Sequence, residues 1–160
     1  MPRNKQVAAL PWRRKESGVE ILLITTRTTK RWVIPKGWPM DGKADHDAAA
    51  QEAFEEAGVR GVVAQESLGQ YGYLKLSDKG NARFVTVTVY GLQVEQDLAD
   101  WPERQERERR WVPAAEAAAL SGEPELVPVL QHFADHPPAD DVVVPVPDKS
   151  PWQWLVDMFR

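Results

Sequence analysis

Near the start of the chain, apolar residues fall in two short, nearly unbroken runs, Val7 to Trp12 and Val19 to Thr26, separated by a polar stretch around Lys15 to Gly18. Apolar runs of this length bounded by turn residues predict two strands joined by a polar turn. Trp32 to Ile34 predicts a short third strand that ends in a turn at Pro35-Lys36-Gly37. The pattern then changes. Asp45 to Ala57 reads as a helix, with Asp45 as its N-cap and Ala57-Gly58-Val59 as its glycine stop signal. Further strands are predicted near Val62 to Leu76, Arg83 to Val94 and Arg109 to Val112, and helices at Pro113 to Leu120 and Glu123 to His132. The alternation suits an α/β (α+β) chain with a mixed sheet sandwiched between helices, without fixing its topology.

The character of the chain changes after His136. Pro137, Pro138, Asp140, Asp141, Pro145 and Pro147 predict an extended linker over residues 137–149. Residues 150–160 predict a short helix capped by Ser150, with Pro151 at its first position. Trp152, Leu155 and Phe159 share one face of it, with Trp154 and Met158 beside them. That face is expected to dock on its own domain or on a partner subunit. Residues 1–136 are then expected to form the main domain.

A chain of 160 residues is an ordinary length for one domain with a sizeable core. It has no cysteine, which excludes a disulfide framework and a thiolate metal site. No apolar run approaches the roughly 20 residues a bilayer span requires, and the N-terminus lacks an uninterrupted apolar segment of the secretory kind. A cytoplasmic protein with no membrane partner, monomeric or homodimeric, is the expectation.

The formal net charge is −4, but its distribution is uneven: ten of the 20 Lys and Arg and only three of the 24 Asp and Glu fall in residues 1–43. Arg27, Lys30, Arg31 and Lys36 lie just upstream of the predicted Asp45 helix. With Arg83 further on, they are candidate contacts for a substrate carrying several phosphates. Lys75 and Lys79 can serve the same end, and Tyr71, Tyr73 and Phe84 are either core or platforms for a base.

Glu52, Glu55 and Glu56 are the candidate chemistry of that helix. At about 100° per residue they emerge on one face within one turn of each other. Three like charges there repel unless a cation sits among them. An oxygen-only ligand set suits a hard divalent ion, Mg²⁺ or Mn²⁺. Taken alone, such a triplet is more often a solvated helix face. The three histidines, His46, His132 and His136, have no ligand spacing and read as surface or helix residues.

In its setting the triplet resembles the signature of the Nudix hydrolases, which runs Gly, five residues, Glu, seven residues, Arg-Glu, an apolar residue, any residue, Glu-Glu, any residue, Gly, apolar. Gly37, Glu52, Ala53, Glu55, Glu56, Gly58 and Val59 match in register. Lys43 stands where the family has Glu, and Gln51 where it has Arg. Those two usually brace the loop against the helix, so the pair looks like a swapped strut.

The resemblance implies a Nudix fold and metal-dependent hydrolysis of a phosphoanhydride by substitution at phosphorus. It implies Mg²⁺ at Glu52, Glu55 and Glu56, with the Gly37 carbonyl. It also implies a proton acceptor, either a box glutamate (Glu52 or Glu55) or a loop glutamate from the Trp101 to Pro113 segment. Among Glu103, Glu106 and Glu108, Glu106 is favoured. Over about residues 5–135 the chain looks most like the diphosphoinositol polyphosphate and diadenosine polyphosphate hydrolases. Either substrate is a polyphosphorylated small molecule. The alternatives are a non-catalytic nucleotide or phosphate sensor and an RNA 5′-pyrophosphohydrolase, although nucleic acid is not the expected partner.

Overall fold

A computed structural model describes residues 4–139. The linker beyond residue 139 and the helix expected over 150–160 lie outside the described residues.

Two long strands start the fold, β1 (Lys5–Lys15) and β2 (Gly18–Thr25), paired antiparallel around the expected turn. Two short strands follow, β3 (Trp32–Val33) and β4 (Lys36–Gly37). Next come helix α1 (Asp45–Ala57), the long strands β5 (Val59–Leu76) and β6 (Ala82–Asp97), and β7 (Arg109–Pro113). Helix α2 (Ala114–Leu120), a 3₁₀ turn at Pro124–Leu126 and helix α3 (Val127–Asp135) complete the chain.

The seven strands form one mixed sheet. Its main path runs β3-β2-β1-β6-β5, with β4 on β1 and β7 on β2. The β1–β6 pairing is parallel and the other pairings are antiparallel. β5 and β6 are longer than expected and make an antiparallel hairpin with shifts in register between Arg60 and Gly69.

The nearly unbroken apolar runs of β1 and β2 have a direct cause. Successive side chains of a strand point to opposite faces, and a central strand covered on both sides has to be apolar throughout. Val7, Ala9, Leu22 and Ile24 pack under Ala48, Ala49, Ala53 and Ala57 of α1. Ala8, Leu10, Ile21 and Leu23 face the other way, against Ala117, Val129, Leu130 and Phe133 of α2 and α3. Each fully buried Leu contributes on the order of 1.5–3 kcal/mol. The expected sandwich of a sheet between helices is therefore the observed architecture.

Two expectations at helix ends need correction. Asp45 is the first residue of α1 rather than its cap; Ala44 holds the cap position and makes no side-chain cap hydrogen bond. Asp45 and Asp47 still place negative charge in the first turn, where the helix dipole favours it. The helix expected from Glu123 begins as the 3₁₀ turn, because Glu123 is extended and Pro124 opens the turn. Among the described residues, no helix is long and apolar enough to cross a membrane.

Candidate active site

The alanine face of α1 lets the helix lie close on the sheet, and this brings its glutamates against β4. Glu56 is buried, and its Oε2 accepts a hydrogen bond from the Lys36 backbone N–H at 3.2 Å. The Glu52 carboxylate lies across Gly37, so that a methyl group built on Gly37 would sit 2.2 Å from Glu52 Oε1. Any side chain at position 37 would displace that carboxylate, which explains the glycine without any appeal to backbone freedom.

Burial pushes the Glu52 carboxyl up to about 7, and the neighbouring Glu55 and Glu103 charges push the same way. Burial pushes Glu56 up to about 8; Arg107 opposes the rise, while Glu52 and Glu103 add to it. Arg107 and Arg27 are cations among these charges, and both oppose the rise of Glu52, with Arg107 the more buried of the two. Arg107 Nη2 lies 3.3 Å from Glu56 Oε1, its Nε lies 3.0 Å from Glu103 Oε1, and its Nη1 donates to the Thr25 carbonyl at 3.0 Å.

The C-terminal end of α1 is clamped by the loop before β7 and by β7 itself. Trp101 Nε1 donates to the Glu56 carbonyl at 3.2 Å. Arg109 donates to the carbonyls of Ala57 (2.9 Å) and Leu98 (2.6 Å), and its guanidinium stacks 3.9 Å from the Trp101 ring. A cation at this end also complements the helix dipole. Gly58 caps the helix in the left-handed region at φ 68, as the sequence implied.

The expected strut between loop and helix is present in altered chemistry. Lys43 Nζ donates to Gln51 Oε1, and Gln51 Nε2 donates to Glu55 Oε1 at 3.0 Å. Glu55 is thus held by Gln51, on the turn beside Glu52. Glu103 is the loop glutamate whose charge bears on both Glu52 and Glu56, whereas Glu106 is half exposed and lies 3.7 Å from Arg27. The reason is local. The turn from Trp101 curls back so that the Glu103 N–H meets the Glu55 carbonyl at 3.0 Å, which points Glu103 inward.

The basic candidates separate. Arg27 pairs with Glu103 at 3.2 Å and remains 59% exposed. Lys30 is exposed at φ 55 in the tight loop closed by Thr26 N–H to the Arg31 carbonyl. Arg31 donates to the Gly122 carbonyl at 3.3 Å. Lys36 Nζ is bound to Glu123 Oε1 at 2.6 Å, which sequence reasoning did not foresee. Arg83 is exposed on the β5–β6 hairpin opposite Lys75, whose ammonium lies 4.8 Å from the Trp38 ring beside Gly37.

Arg107 and Glu123 are the functional candidates the sequence did not single out. Arg107 sits in a run of alternating charge that reads as a solvated face. Glu123 looked like an ordinary first residue of a helix.

Among the described residues, no three His, Cys, Asp or Glu side chains converge as a finished metal cage. The donors present nevertheless fit a hard divalent cation. Glu52, half-buried, and Glu56, buried, are oxygen donors whose carboxyls are raised chiefly by burial, and they lie against the Lys36–Gly37 backbone.

The model of the NUDIX domain matches residues 2–133. The plant protein Nudix hydrolase 13, mitochondrial, of Arabidopsis thaliana is 32% identical over 123 residues, covering 74% of this chain and 61% of that protein. The diphosphoinositol polyphosphate phosphohydrolase 3-beta of Bos taurus is 30% identical over 116 residues, covering 71% of this chain and 66% of that protein. The chain thus spans about two thirds or less of the length of these two relatives. Among solved structures, a C. elegans Ap4A hydrolase binary complex shares the fold, with a TM-score of 0.62 at 19% identity over 82% of this chain and 96% of that one. With the box residues gathered on one helix face and the family model matching most of its length, the chain belongs to the NUDIX family.

Proposed function

We propose that this chain is a divalent-metal-dependent hydrolase that cleaves a phosphoanhydride bond in a polyphosphorylated small molecule. The observation that carries the reading is the pair of close carboxyls, half-buried Glu52 and buried Glu56, held against Lys36–Gly37 and both raised in pKa. Mg²⁺ is the expected ion, and Mn²⁺ offers the same oxygen preference. Bound there, it would neutralise phosphate oxygens and acidify the attacking water.

The chain's own residues supply the rest. Glu52, Glu55 and Glu56, with the Gly37 carbonyl, would hold the ion. Gln51 keeps Glu55 oriented, and the Trp101 and Arg109 clamp fixes the turn that carries Glu56. Arg27 faces solvent beside Glu103 and is placed to meet an incoming phosphate. Glu55 and Glu103 are the candidate proton acceptors, Glu103 taking the place expected for Glu106. The names of the bovine relative and of the C. elegans fold neighbour support a diphosphoinositol or a diadenosine polyphosphate as substrate.

The test is a hydrolysis panel with and without Mg²⁺, run beside Glu56→Gln. It takes diadenosine polyphosphates, diphosphoinositol polyphosphates, ADP-ribose, nucleoside triphosphates and 5′-triphosphorylated RNA. Turnover of one class that collapses in the variant is the expected result. A folded protein that turns over none of them yet still binds a phosphorylated ligand is a sensor instead.

A further inference from the structure

Beside the box lies a cavity of about 330 Å³, bordered by Thr26, Arg31, Lys36, Tyr73, Leu74 and Glu123. Lys36 joins the two places. Its backbone N–H holds Glu56 in the box, and its side chain enters the cavity.

The basic residues here suggest a phosphate site at first sight, but the charges cancel. Lys36 Nζ is bound to Glu123 Oε1 at 2.6 Å. Glu123 is 7% exposed, and Lys36 is the cation bound to it. The hydroxyls behind Glu123 feel its charge. After burial, the Glu123 carboxylate is the next cause that holds the Tyr71 hydroxyl well above 10 and pushes Tyr73 up to about 12. Arg31 is the other cation of the wall, and Glu125 is the other carboxylate. Two cations face two carboxylates, which leaves no surplus positive charge to hold a second cluster of phosphates. The remaining wall, Tyr73, Leu74 and Pro124, is apolar or aromatic.

We propose that Glu123 is a specificity-determining residue: by cancelling Lys36 it bars phosphate groups from this cavity, which receives an uncharged, partly apolar end of the substrate, such as a nucleobase. This rests on the reading of the box as the anhydride-cleaving site, and it favours a diadenosine-type substrate over a diphosphoinositol one. A phosphate brought beside Glu123 meets a like charge in a poorly solvated place, whereas a neutral ring loses only its hydration.

A minimal pair of ligands tests it by calorimetry without metal. Adenosine 5′-monophosphate and ribose 1,5-bisphosphate share ribose 5-phosphate and differ in carrying a base or a second phosphate at C1. The wild-type chain is expected to bind the adenosine compound at least about tenfold more tightly, the scale of one like-charge contact. Glu123→Gln frees the Lys36 charge and should erase most of that preference. Lys36→Gln leaves Glu123 unopposed and should widen it, which gives a second reading should the first variant fold poorly. Equal binding of the two ligands by the wild type, no binding of either, or a preference indifferent to both substitutions overturns the proposal. The outcome is separable from that of the hydrolysis panel: turnover without the preference sinks only the subsite, and the preference without turnover sinks only the catalytic reading.

Discussion

The Arg107 guanidinium lies 3.3 Å from Glu56 Oε1, so the chain itself supplies a cation to the most buried glutamate of its box helix. The same side chain, 11% exposed, reaches Glu103 at 3.0 Å. Removing one partner of a buried ion pair leaves the other charge unanswered, a loss of about 3–5 kcal/mol. Arg107→Met is therefore expected to lose stability of that order in EDTA at a pH of about 9, where Glu56 is ionised, and to recover part of it in Mg²⁺, as read by urea unfolding. Equal stability of variant and wild type in EDTA contradicts the assignment.

The Lys43–Gln51–Glu55 chain of hydrogen bonds predicts coupling between residues 43 and 51. Lys43→Glu or Gln51→Arg alone sets an unmatched group across the loop, and each is expected to lower turnover. The double substitution pairs the two new charges and is expected to recover the loss, with a coupling energy on the order of 0.5–3 kcal/mol. A double-mutant cycle on kcat/KM measures it, and additive effects would show that the strut carries no load.

The raised carboxyls make stability depend on pH in a definite direction. Glu52 at about 7 and Glu56 at about 8, against an ordinary 4.5, bind protons more tightly in the folded chain than in the unfolded one. The stability they contribute is complete below the unfolded value and is lost as pH rises through 7 and 8. A divalent ion binds the ionised form, so the increase in Tm on adding Mg²⁺ should grow across that same window. Thermal melts in EDTA and in Mg²⁺ from about pH 5 to about pH 9 check both trends. A metal-free Tm that climbs between pH 6 and pH 8.5 runs against them.

Gly58 has two reasons to be glycine. Its φ of 68 lies in the left-handed region, and a methyl there would come within 2.5 Å of the Trp101 ring. Gly58→Ala is expected to cost at least about 1–2 kcal/mol from the backbone alone. It should also loosen the clamp on Glu56, so that Tm and kcat fall together.

The sequence makes most of the fold legible for identifiable reasons. Val7 to Trp12 and Val19 to Thr26 are apolar on both faces, which is the mark of covered central strands, and Gly58 marks the helix end. The glutamate spacing and Gly37 locate the box. What the chain does not display is pairing at a distance. Arg107 meets Glu56 across 51 positions in sequence, and Lys36 meets Glu123 across 87. Both arise only when the loop before β7 and the 3₁₀ turn close over the sheet. The same cause turns Glu103 rather than Glu106 toward the box, since an inward or outward side chain depends on a turn that charge alternation does not reveal.

The most direct test of the account is a Mg²⁺ titration of diadenosine tetraphosphate hydrolysis by the wild-type chain and by Glu52→Gln, at a pH of about 8.5, above both raised carboxyl values. The account predicts saturable, Mg²⁺-dependent turnover by the wild type and a fall of about a hundredfold or more in kcat for the variant, with a weaker apparent affinity for the ion. Turnover that is indifferent to Mg²⁺, or a variant as active as the wild type, would contradict it.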